Sequence, residues 1–69
     1  MKSKSHLTPR EKEVISLAAQ GKSYEEIAKK LDIGYETVSS HFKNARVKLN
    51  AINTVQTVAI AVAQNLLLA

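Results

Sequence analysis

Between Glu36 and Lys48 the chain sets Ser39, Ser40, Lys43, Asn44 and Arg46 within a few residues of one another, all of them hydrogen-bonding or cationic side chains. Hydroxyl, amide and basic donors at this density suit recognition, because they can meet base edges or phosphate oxygens without any bond being broken. Bond-making chemistry has no comparable support. Ser40 and His41 are sequence neighbours in a stretch that reads as helix. Their side chains therefore diverge by about 100° and cannot form a nucleophile–base pair. Glu25, Glu26 and Asp32 fall on or beside an exposed helix with no pocket to perturb them, and no glycine-rich phosphate loop is present. There is no cysteine, and two histidines do not make a metal cage. The pattern implies a binding protein, not an enzyme, with neither cofactor nor metal.

The elements that position these side chains follow from apolar spacing. Val38, Phe42, Ala45 and Leu49 recur at i, i+4, i+7 and i+11, a single buried stripe on a helix whose other faces are polar. Ile27, Ala28 and Leu31 mark a shorter helix before it, and Asp32-Ile33-Gly34 breaks the run between the two. Gly34 is expected to supply a positive φ there. Two helices across such a turn, the second the more polar, form the helix-turn-helix pattern in which the second helix enters the major groove of DNA.

Caps locate the rest. Thr8, Pro9 and Glu11 make a capping-box start with Leu7 as its hydrophobic staple, Val14, Leu17 and Ala18 form the buried stripe, and Gly21 stands as the terminating glycine. Ser23 and Glu26 repeat the capping box, and Asn53-Thr54 opens a fourth helix. The predicted fold is all-α, a four-helix helix-turn-helix bundle with helices at about 9–20, 24–31, 35–50 and 54–68.

Length and charge set bounds. A single small domain of 69 residues buries about 60% of its unfolded surface. Ten basic against six acidic residues give a net charge of +4, a balance that suits nucleic acid. Residues 1–6 read as a basic polar tail or linker with no apolar signal-peptide core after them, and 7–69 as the domain. The apolar stretch at 58–69 is too short to span a bilayer and is interrupted by Gln64 and Asn65, so a cytoplasmic location is expected. The fourth helix is nearly uncharged. Val55, Ala59, Val62 and Leu66 share one face, flanked by Val58 and Ala61 on one side and by Ile60, Ala63 and Leu67 on the other. So wide an apolar arc exceeds what a domain of this size can cover from within, which points to a dimer through that face.

The chain resembles the LuxR-type (GerE-like) helix-turn-helix domain. The resemblance rests on LTPREKEV at 7–14, Gly21, EIAKKL at 26–31, TVSSH at 37–41 and KL at 48–49, and it covers residues 7 to 68. The stretch from Asn44 to Gln56 looks most like acyl-homoserine-lactone quorum-sensing regulators, in which such a domain follows a ligand-binding domain. The resemblance implies sequence-specific binding of double-stranded DNA with two-fold-related half-sites, in bacterial transcription regulation, as a homodimer and with RNA polymerase as a further partner. It places Ser39, Ser40 and Lys43 at base edges, and Thr37, Lys48 and the helix-four start at Thr54 on phosphates. Lys43 has the chemistry to donate to guanine O6 or N7, whereas Arg46 and Lys48 suit phosphate neutralisation and Tyr35 a phosphate hydrogen bond. This sequence departs from the family pattern at Gly34, where a serine is usual, and at Thr54, where arginine is frequent. The family's core motif in the fourth helix corresponds to Thr57-Val58 and Ala61, leaving Val55, Ala59, Val62 and Leu66 for the dimer.

Two other classes share part of the pattern. A sigma-factor-like promoter-reading domain has the same two helices and basic character, but the apolar fourth helix argues against it. A protein-interaction module that forms inactive mixed dimers with full-length regulators would use the fourth helix alone, and would dimerise without retarding DNA.

Overall fold

The computed structural model describes residues 6–65. It contains α1 (Pro9–Ala19), α2 (Tyr24–Leu31), α3 (Tyr35–Lys48) and α4 (Thr54–Ala63), and no strand among the described residues. Residues 1–5 of the expected tail and 66–68 of the expected fourth helix, including Leu66 and Leu67, lie outside the described residues.

Both capping boxes form. Glu11 N–H donates to Thr8 Oγ1 at 3.1 Å while Thr8 N–H donates back to Glu11 Oε1 at 3.0 Å, and Ser23 and Glu26 repeat the exchange. These bonds satisfy donors that the first turn of a helix otherwise leaves unpaired. Gly21, at φ 96°, ends α1 in a conformation that a Cβ would strain. Asn53 caps α4 by accepting from Gln56 N–H at 2.8 Å.

The turn between α2 and α3 differs from expectation. Asp32 takes the left-handed conformation at φ 57°, and Gly34 sits at φ −77° as the N-cap of α3 without a side-chain cap. A short polar side chain tolerates the left-handed region, and Ile33 N–H closes onto Ala28 O at 3.0 Å. Helix α3 ends at Lys48, two residues before the expected boundary at 50. Asn50 turns left-handed at φ 56°, and its N–H and that of Ala51 fold back to Val47 O and Arg46 O. Helix α4 likewise ends at Ala63, where Gln64 closes it and Asn65 is left-handed at φ 57°. Asparagine is the commonest substitute for glycine in such helix ends.

The core joins Leu7, Val14, Ile15, Leu17, Ile27, Ala28, Val38, Phe42, Ala45, Leu49 and Ala61. Helix α1 packs on α3 and α4, and α2 on α3, so α3 is held along its length while its far side faces solvent. Ile15 joins Val14 and Leu17 in the core, and Ala18 is only partly buried. On α4 the inward face is Thr57 and Ala61, with the Thr57 hydroxyl satisfied by Asn53 O at 2.7 Å. Among the described residues no helix is long and apolar enough to cross a membrane.

Candidate nucleic-acid interface

The buried stripe of α3 fixes which of its residues face out. With Val38, Phe42 and Ala45 in the core, Glu36, Ser40, Asn44 and Val47 form the outermost stripe, all exposed. Ser39, Lys43 and Arg46, at i, i+4 and i+7, form the stripe beside it, toward the start of α2 and α4. Ser39 and Lys43 are exposed, and Arg46 is half-buried, donating through Nη1 to Ala51 O at 3.3 Å. Part of the guanidinium fork stays available to an outside acceptor. Ser39, Lys43 and Arg46 line a cleft of about 150 Å³ with Tyr24, Phe42 and Thr54. Ser40 lies outside that cleft, so the three residues expected at base edges divide between two adjoining stripes.

Tyr35 and Thr37 are exposed in the first turn of α3, and the Tyr35 ring centroid is 5.6 Å from that of Tyr24. Thr54 is exposed at the first position of α4, with its hydroxyl 3.4 Å from that of Tyr24. Lys48 has a protein partner where the sequence puts a phosphate. Its Nζ is 2.8 Å from Glu11 Oε1, the oxygen that also caps α1, and the Glu11 side chain is only 4% exposed. A carboxylate so enclosed needs a cation, and Lys48 on the α1 side of α3 is the one that reaches it. Burial would raise the Glu11 carboxyl, but the Lys48 hydrogen bond, the Thr8 N–H and the nearby positive charge together hold it below its ordinary value. The exposed Glu26 carboxyl is also lowered, first by the Ser23 N–H.

On α4, Val55 is 78% and Val62 53% exposed, and Ala59 is exposed with them, opposite the buried Thr57 and Ala61. Sequence reasoning passes over Tyr24, Val47 and the pairing of Glu11 with Lys48. Tyr24 stands at i to Ile27, Ala28 and Leu31 at i+3, i+4 and i+7, so helical periodicity already carries it toward α3. Val47, 64% exposed, is an apolar residue out of step with the buried stripe. The ion pair spans 37 residues and leaves no local signal.

The fold is shared with known proteins. The chain is 48% identical over 58 residues to the transcriptional activator protein BjaR1 of Bradyrhizobium diazoefficiens, a match covering 84% of this chain and 24% of BjaR1. It is 46% identical over 57 residues to the HTH-type quorum sensing-dependent transcriptional regulator VjbR of Brucella melitensis, covering 83% of this chain and 22% of VjbR. The crystal structure of Escherichia coli SdiA matches all of this chain over 29% of its own, with a TM-score of 0.90 at 39% identity. The chain thus spans about a quarter of the length of these relatives. The family model for bacterial regulatory proteins of the luxR family matches residues 5–61, and the chain belongs to that family.

Proposed function

We propose that this chain binds double-stranded DNA sequence-specifically in transcription regulation, as the output domain of a quorum-sensing regulator in the bacterial cytoplasm. The observation that carries this is the orientation of α3. Its apolar stripe is locked into the core while Ser39, Ser40 and Lys43 stand exposed on adjoining outward stripes. An α-helix so presented fits the major groove, where lysine donates to guanine and serine to several bases. Tyr35, Thr37, Arg46 and Thr54 border that face and are the phosphate contacts in this reading. Lys48, engaged by Glu11, acts mainly by holding α3 to α1. The exposed Val55, Ala59 and Val62 face is the dimer surface, which would align two copies on two-fold-related half-sites. The quorum-sensing role is supported by the likeness to VjbR.

The test is selection of duplexes from a randomised pool, followed by a salt titration on the winner. A pool that converges, with log affinity falling by about 0.9 per phosphate contact for each unit of log salt, is the expected result. A chain that dimerises but enriches no duplex is instead the interaction module that captures other regulators.

A further inference from the structure

The cleft where α2, α3 and α4 meet is floored by the Phe42 ring, on which Tyr24 stacks with centroids 5.0 Å apart and planes 18° from parallel. The stack fixes where the Tyr24 hydroxyl lies, and there it faces the Thr54 hydroxyl at 3.4 Å. That is beyond the usual O–H···O range of about 2.5–3.0 Å, so the two hold each other weakly. Two hydroxyls facing each other carry two protons and need only one for the bond between them. The other proton is free to be donated to solvent or to an acceptor that enters the cleft. Lys43 and Arg46 line the same cleft, and among the described residues no carboxylate does. An oxyanion with several lone pairs matches this donor set.

We propose that the cleft seats one phosphate of the DNA backbone, with the Tyr24 hydroxyl as a direct donor alongside Thr54 and Arg46. This rests on the DNA-binding reading above and adds to it a contact from α2. Ser39 and Lys43 border both the cleft and the groove-facing surface. The seated phosphate therefore lies next to the bases that α3 reaches, and it sets the register of the helix in the groove. Tyr24 and Thr54 are neutral donors, so they orient the phosphate, while Arg46 supplies the charge that displaces counterions.

That division gives the test. On the duplex selected by the wild type, Tyr24→Phe keeps the stacked ring and loses only the hydroxyl. It is expected to weaken binding about tenfold, with base preference and salt slope unchanged, since a hydrogen bond to a charged group is lost but no charge. Arg46→Gln is expected to reduce the slope by about 0.9. A series of duplexes, each with a single neutral methylphosphonate, then locates the seat: one position should weaken the wild type by more than it weakens Tyr24→Phe, the difference being the hydroxyl's share. If Tyr24→Phe binds like the wild type, or is as sensitive as the wild type at every position, the hydroxyl is only a clip between α2 and α4 and the seat is wrong. That comparison is made within each variant, so a change in stability does not obscure it. If the wild type selects no duplex, the DNA-binding reading itself fails.

Discussion

Lys43 and Lys48 lie five positions apart on one helix, yet the structure gives them different surroundings. Lys43 is exposed beside Ser39, while Lys48 is a third exposed and bonded to the enclosed Glu11 carboxylate. Lys48→Ala leaves that carboxylate without its cation. Breaking a buried pair costs about 3–5 kcal/mol, and partial solvation of this one lowers the expected destabilisation to about 1–3 kcal/mol by denaturant titration. Any weakening of DNA binding should then follow the loss of folded protein, with base preference intact. The Glu11 carboxyl is held below its ordinary value of 4.5 in the folded state. Its stabilising contribution is therefore complete above that value and is lost as pH falls through the lowered one. Glu11→Gln should flatten the stability profile below about pH 5, with a remainder from Glu26, which is lowered in the same sense. A variant as acid-sensitive as the wild type would remove Glu11 from the account. Lys43→Ala should leave stability alone and relax preference at one base pair per half-site, worth about 1–3 kcal/mol, in a repeat of the duplex selection. Identical selected sequences for both proteins would reduce Lys43 to a backbone contact.

At the scale of elements, the start of α3 is the least secured of the four helix starts. Thr8, Ser23 and Asn53 each accept a backbone N–H, but Gly34 has no side chain with which to do so. Its φ of −77° and ψ of 158° are open to any residue, and a Cβ placed there would meet only Thr37 Oγ1, at 3.9 Å. Gly34→Ser should add a cap and restrict the unfolded chain, stabilising the domain by roughly 0.5–1 kcal/mol with an unchanged denaturant slope. A lower midpoint would mean that the glycine is needed for more than its lack of a side chain. The same turn shows what sequence patterning resolves. The stripes of α2 and α3 are local and periodic, and Ile27, Val38, Phe42, Ala45 and Leu49 lie buried where spacing places them. Which of Asp32 and Gly34 turns left-handed depends on how α2 closes, since both tolerate it. Likewise Asn50 and Asn65 end their helices although the apolar pattern continues past both. Of the candidate interface, the outward position of Ser39, Ser40 and Lys43 is legible because it is the complement of the stripe. The cleft is not, because Tyr24, Arg46 and Thr54 meet only when three helices pack.

At the scale of the whole molecule, the small core leaves an apolar face of α4 uncovered among the described residues. Helix α4 turns Thr57 and Ala61 inward, with Val58 and Ile60 partly buried against the core beside them, and leaves Val55, Ala59 and Val62 in solvent. Three small aliphatic side chains make a modest patch, so a dimer built on them should be weak in solution. Two adjacent half-sites change that, because binding one copy raises the effective concentration of the second by holding it at the distance the dimer requires. Val62→Glu tests this without entering the core, since Val62 is 53% exposed and its replacement remains hydrated. The variant should keep the helical spectrum and melting temperature of the wild type, and its affinity for a single half-site. On a duplex with two half-sites it should lose cooperativity and bind each independently. Ala61→Glu, which buries a charge at a fully enclosed position, should unfold the domain and so mark the opposite face. If Val62→Glu unfolds the chain, or binds paired half-sites as cooperatively as the wild type, the partner of α4 is not a second copy held through this face.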